Sequence, residues 1–178
     1  MKQRKIYTGG AEGTDLYAEA IGRIKGIKVS VLTFSGHRTV ASPANLVLLN
    51  SYLLEEGWEQ VKKTNRVLNR NIEHLSRYTK NLLARNWHII ERAEVIYAFS
   101  EIENKKEGIV KGGTGWGVMM AIQEEKPLYV YNTNDNMWYF WDDGFQLIDP
   151  PIDEHETIAI IGTRKINQSL KNAMFFLV

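Results

Sequence analysis

The chain has 178 residues, 44% of them apolar and 24% charged, with a formal charge of +1 and no cysteine. That length suits one domain spanning 1–178 with a substantial core, and the composition is globular rather than disordered or collagen-like. Without cysteine there is no disulfide, thiolate metal site or cysteine nucleophile, and near-zero net charge gives no global pull toward nucleic acid or anionic membrane.

The start, MKQRKIYTGG, lacks the apolar run of a signal peptide, and no stretch reaches the roughly 18 apolar residues of a membrane span. A cytoplasmic location without membrane contact is therefore expected. Residues 4–7 predict a short strand that runs into TGGAEGTD at 8–15. Residues 15–25 predict a helix with Leu16, Ala20, Ile21 and Ile24 on one stripe, stopped at Gly26. KVSVLT at 28–33 reads as a buried strand, and 34–43 as a polar loop. From about 46 to 90 the pattern is helical, with a break near 69–76. Residues 93–99 form the next strand, 100–113 an excursion with a hairpin turn at Asn104–Lys105, and 114–124 a helix. PLYVY at 127–131 is a further strand. The region 132–156 is aromatic at 138–141, as core or lid, and then acidic. TIAIIGTR at 157–164 is a strand ending in a glycine turn, and 167–178 a terminal helix. Alternating strands and helices predict an α/β fold, a three-layer sandwich about a mainly parallel sheet.

Charge is segregated along the chain. Residues 62–92 have a local balance of +6, and residues 135–156 one of −7. Two solvated faces would account for this, and so would arginines set over an anionic ligand.

The chemistry signal follows three of the strands. Gly9, Gly10, Ala11, Gly13 and Thr14 lie in the first turn, Gly112, Gly113, Thr114, Gly115 and Trp116 in the second, and Gly162, Thr163 and Arg164 in the third. Glycine lets backbone approach a phosphate closely, and a helix start offers unpaired N–H groups with the positive end of its dipole. In a parallel sheet such turns share the carboxyl edge, where ligands bind. The dinucleotide fingerprint is absent, because Thr8 stands where its first glycine belongs and the second strand ends without an acid. No Gly-Lys-Ser/Thr occurs either, so no NAD, P-loop chemistry or other cofactor is expected.

TGGAEGTD, GGTGW and IGTR, each after a strand, resemble the SLOG superfamily of Rossmann-like nucleotide-binding domains, which includes DprA-like and LOG-like proteins. With Arg85-Asn86-Trp87, the likeness is nearest to an uncharacterised bacterial and phage branch. In the DprA-like order the G-[ST]-R unit comes first, whereas here it is last. The resemblance thus implies a circular permutation, with the first βα unit at the C-terminus and Val178 near Met1. It also implies the sheet order 28–33, 4–7, 158–162, 94–99, 127–131. Gly9, Gly10, Gly13 and Thr14 match the family's phosphate-side loop, and Thr163 with Arg164 the turn that would meet a phosphate. LOG enzymes carry a glutamate after their second glycine loop. Here Trp116-Gly117-Val118-Met119 follows, so phosphoribohydrolase action by that route is not expected. Trp116 would stack on a base or close the helix start.

Glu12 and Asp15 are the acids within the first loop, suited to general acid–base work or to bracing and capping. His37 and Arg38 lie near the same edge and could close over a ligand, and Arg85 and Asn86 could point into the cleft. The histidines at 37, 74, 88 and 155 show no metal spacing, and no metal is expected; His88 reads as a helix-face residue. Three functions remain open. The first is binding of a nucleotide or nucleotide-derived signalling molecule for sensing or sequestration. The second is hydrolysis of an N-glycosidic or phosphoribosyl bond. The third is DprA-like single-stranded DNA binding, supported by the basic segment with Tyr78 and Trp87 but opposed by overall neutrality. The expected partner is a nucleotide-like small molecule, with a homo-oligomer left open and nucleic acid not expected.

Overall fold

The computed structural model describes residues 4–178, so the MKQ start and the expected closeness of Val178 to Met1 lie outside the described residues. The chain runs β1 (Lys5–Thr8), α1 (Thr14–Lys25), β2 (Lys28–Phe34), β3 (Leu46–Leu49), α2 (Ser51–Leu68), α3 (Arg77–Glu91) and β4 (Val95–Ser100). It continues through β5 (Ile102–Asn104), β6 (Ile109–Val110), α4 (Thr114–Gln123), β7 (Leu128–Asn132), β8 (Met137–Trp141), β9 (Phe145–Ile148), β10 (Thr157–Gly162) and α5 (Gln168–Leu177). Eight strands form one sheet in the order β3-β2-β1-β10-β4-β7-β8-β9. The stretch from β3 to β7 is parallel, and β8 and β9 continue it as an antiparallel hairpin. The five strands expected from sequence occur in the expected order, with β10 central between β1 and β4.

Period-two alternation divides the core between the two faces. In β4, Val95, Tyr97 and Phe99 face one cluster with Ala18 and Ile21 of α1 and Leu170 and Met174 of α5. Ile96 and Ala98 face the other, with Val61 of α2, Ile89 and Ile90 of α3, and Val118 and Met120 of α4. The result is a Rossmann-like α/β sandwich with helices on both faces.

One expectation is corrected, and one pair of alternatives is decided. Residues 46–49 are not the start of a helix but edge strand β3, paired with β2 from Val31↔Leu46 to Phe34↔Leu49. The helix begins only after Asn50, whose side chain accepts from Leu53 N–H at 2.9 Å. Of the two readings of the aromatics at 138–141, core holds and lid does not: β8 joins the sheet, and Trp138 and Tyr139 are buried in it. The break at 69–76 is present. Asn69 ends α2 in the left-handed conformation, and Ser76 caps α3 by accepting from Thr79 N–H. The 100–113 excursion is the hairpin β5–β6, whose turn spans residues 105–108. No helix among the described residues is long and apolar enough to cross a membrane.

Candidate functional site

Because β1, β4 and β10 run parallel, the loops after Thr8, Ser100 and Gly162 emerge on one edge. The first and third loops clasp each other. Thr14 N–H and the Thr14 hydroxyl both donate to Thr163 O, at 3.1 and 2.9 Å, and Thr163 N–H donates to Phe99 O at 2.8 Å. The clasp explains two of the glycines. A Cβ on Gly162 would lie 2.5 Å from Thr14 Oγ1, and one on Gly13, whose φ is +85°, would lie 2.3 Å from Arg164 O. Gly9 and Gly10 are buried in the same way: Arg85 donates to Gly9 O at 2.6 Å, and the Thr39 hydroxyl donates to Gly10 O at 2.7 Å. Gly9, Gly10, Gly13 and Thr14 therefore pack loop against loop. The residues of this loop that reach the cleft wall are Ala11 and Asp15.

That cleft, about 680 Å³, opens at the carboxyl edge between the three loops and α3. Arg85 and Asn86 point into it from the middle of α3, as the sequence allowed. Arg85 is 4% exposed, and its Nε has no hydrogen-bond partner among the described residues. Its guanidinium lies 3.8 Å from Asp15 Oδ2, and Asp15 also accepts from Ala11 N–H at 3.1 Å. Asp15 thus braces its own loop rather than capping α1. Burial raises its pKa, against the opposing pull of Arg85 and of the Ala11 N–H.

The second glycine turn opens α4. Arg70 holds it by donating to Gly112 O at 2.6 Å and Val110 O at 2.7 Å, and Asn86 donates to Gly113 O at 3.3 Å. No side chain caps the helix, and among the described residues no protein acceptor meets the N–H groups of Gly113 and Thr114. Gly113 has φ −62°, and a Cβ there would meet nothing within 4 Å among the described residues, so neither conformation nor packing requires glycine. Gly115 is different, since its Cβ would lie 2.0 Å from Val110 O. Trp116 is 4% exposed with Arg70 over its ring, so it closes the helix start and offers no face to a base.

Around the mouth stand Arg164 and Lys165, exposed and without an ion-pair partner among the described residues. Lys111 is there too, paired with Glu101 at 2.7 Å. Thr79, Leu82, Leu83, Ser100, Thr133 and Ile161 complete the wall and were not singled out from sequence. The Leu pair sits one turn before Arg85-Asn86 and is indistinguishable from core stripe in sequence. Lys165 had a signal, as the neighbour of Arg164. Of the other basic residues in 62–92, Lys62 pairs with Glu59 and Lys63 with Glu124. His88 is buried, meeting Glu91 and Leu53 O, and ties α3 to α2.

His37 and Arg38 lie beside the cleft in a second hollow, with Glu12. The His37 ring stacks on Phe34, with Nδ1 2.9 Å from Thr33 Oγ1 and Nε2 3.3 Å from Arg85 Nη1. A guanidinium only donates, so Nε2 accepts and the proton sits on Nδ1. Burial, then Arg85 and Arg164, lowers the His37 pKa from 6.5 to about 4. A ring titration followed by NMR is expected to find this midpoint, and one near 6.5 would disprove the packed arrangement. The stability contributed by keeping His37 neutral is present above pH 6.5 and is lost as pH falls from there toward 4. His37→Gln should lack that acid limb in denaturation curves.

No family model matches the chain, and no curated protein does. A crystal structure of a proposed molybdenum carrier protein from Syntrophus aciditrophicus SB is similar, with a TM-score of 0.53 at 14% sequence identity. The alignment covers 99% of this chain and 92% of that one. The likeness shows a shared fold, a Rossmann-like α/β sandwich.

Proposed function

We propose that the chain binds a nucleotide or nucleotide-derived small molecule, phosphate end first, in the cleft at the carboxyl edge. The observation that carries this reading is the gathering of uncompensated donors around one cleft: the N–H groups of Gly113 and Thr114 with the cations Arg164 and Lys165. Helix N-terminal amides and guanidinium groups are the chemistry that holds phosphate. A hollow of about 680 Å³ is of nucleotide size. The similar structure's description as a molybdenum carrier fits a small-molecule role for this fold.

The same reading takes the chain as a circularly permuted SLOG protein, supported by the central place of the β10–α5 unit and by its three loops. It includes a homo-oligomer, supported by the open edge of β3, where Leu46, Val47 and Leu48 are all exposed. A cytoplasmic setting is part of it.

Calorimetric titration with mono-, di- and triphosphates of each base, cyclic dinucleotides and ADP-ribose tests it; no binding at millimolar concentration overturns it. Gly113→Ala sharpens the test. A glycine free to become alanine gives up about 0.4–1 kcal/mol of unfolded-state entropy. The variant should therefore melt at or above the parent temperature while binding phosphate ligands about tenfold more weakly, because its methyl meets the ligand. A stable variant with unchanged affinity would remove α4 from the site.

A second reading, hydrolysis of an N-glycosidic bond, is favoured by one observation. Asp15 is a buried carboxyl on the cleft wall, and burial raises its pKa against the pull of Arg85, which places a titratable group where a general acid would act. Base release on chromatography, lost in Asp15→Asn, would establish it. Single-stranded DNA binding gains no such support.

A further inference from the structure

A second hollow of about 570 Å³ lies across Arg164 from the main cleft, between the loop after β2 and the start of α3. Ala11 and Arg164 line both. One contact underlies both as well, since Arg85 lines the main cleft, His37 lines the second hollow, and their nitrogens lie 3.3 Å apart. A ligand that reaches Arg164 from the main cleft therefore has its next free space in the second hollow.

The second hollow has a different chemistry. Tyr78 meets Phe34 edge-on at 5.7 Å, and Phe34 stacks on His37 at 5.0 Å, so the phenol ring is held as a wall. The Tyr78 oxygen accepts from Arg38 N–H at 3.3 Å, which leaves its own O–H free to donate. Arg38 and Glu12 are exposed and have no ion-pair partner among the described residues. A carboxylate would repel a bare phosphate but accepts hydrogen bonds from hydroxyl groups, and beside it a guanidinium and a phenol can donate to them. That set suits the neutral, hydroxyl-rich arm of a ligand whose charged part stays with Arg164, Lys165 and the start of α4.

We propose that the two hollows are one two-lobed site for a nucleoside diphosphate whose terminal phosphate is esterified to a sugar. The diphosphate lies along Arg164, and the sugar lies among Glu12, Arg38 and Tyr78. This rests on the phosphate reading of the main cleft and names its ligand class; a mononucleotide would leave the second lobe empty.

Calorimetry with three matched pairs tests it: ADP with ADP-ribose, UDP with UDP-glucose, GDP with GDP-mannose. In a pair whose diphosphate binds, the sugar ester is expected to bind about tenfold tighter, the worth of one or two hydrogen bonds to a charged group. Glu12→Gln and Tyr78→Ala should each bring the ester down to the affinity of its diphosphate. Glu12→Gln changes an exposed side chain, so it keeps the test readable even where Tyr78→Ala fails to fold. If diphosphates bind but no ester gains, or if both variants keep the preference, the two-lobed site is overturned and the main-cleft reading stands. If none of the six ligands binds, the two-lobed site is overturned. The main-cleft reading falls with it only when the mono- and triphosphates and cyclic dinucleotides also fail to bind.

Discussion

Arg85→Met is expected to cost the fold about 3–5 kcal/mol at neutral pH, the usual loss when one partner of a buried ion pair is removed. Arg85 and Asp15 are 4% and 6% exposed, and the guanidinium also holds Gly9 O and His37. Methionine leaves the Asp15 carboxyl buried with no cation, and the Gly9 carbonyl without its donor. The pH dependence identifies the cause. Asp15 already has a raised pKa through burial, with Arg85 pulling it down, so losing Arg85 raises it further. A folded-state pKa above the unfolded value of 3.8 means stability that is present at low pH and lost as pH rises through the folded pKa. His37 acts in the same sense, because without Arg85 its ring is less reluctant to charge and the variant loses less than the parent between pH 6.5 and 4. The deficit in urea denaturation should therefore be largest at neutral pH and shrink toward pH 4. Arg85→Met combined with Asp15→Asn should recover part of it. A deficit below about 1 kcal/mol, or one that grows in acid, would show that the pair does not hold this edge together.

How much of this could be read from the residues differs by element. The five central strands were legible because β-branched runs such as KVSVLT and TIAII lie between glycine turns, and their sheet order followed from the family resemblance that the motifs carry. Strand β3 was not legible. LVLL is short, carries no β-type alternation and abuts an amphipathic helix, so only its pairing with β2 decides its state. The β8–β9 hairpin was hidden by a run of four aromatics, a pattern that fits core and lid equally.

At the site, the three turns were legible as a group, but the part each glycine plays was not. Gly13 and Gly162 read as phosphate-contacting residues in sequence; in the fold they are the points where two loops touch. Gly113, one of four glycines in GGTGWG, is the one that nothing among the described residues requires. Composition cannot separate those roles, because they depend on what lies across from the missing Cβ. Trp116 shows the same limit, its burial being set by Arg70, which is 46 positions earlier in the chain. Loop-packing glycines fix the shape of this edge, and the unpaired groups beyond them are left for a ligand.

Among those unpaired groups Arg164 stands where both hollows meet, and Arg164→Ala is expected to weaken any phosphate-bearing ligand by about 10- to 100-fold. The Arg164 side chain carries no part of the free protein's fold. It is exposed and makes no ion pair among the described residues, while the clasp with the first loop uses only Arg164 backbone atoms against Gly13. Removing the guanidinium should therefore leave thermal stability unchanged within about 0.5 kcal/mol. It should also relieve one of the two positive charges that hold the His37 pKa down, so the His37 midpoint rises from about 4 while the fold persists. Arg164→Lys keeps the charge but loses the planar fork, and should fall between parent and alanine in affinity. Because the interaction is between charges at a solvent-exposed mouth, raising salt should weaken the parent more than the alanine variant. An alanine variant that binds as tightly as the parent, with the His37 shift present to prove the local change, would leave the phosphate role with Lys165 and the start of α4 alone.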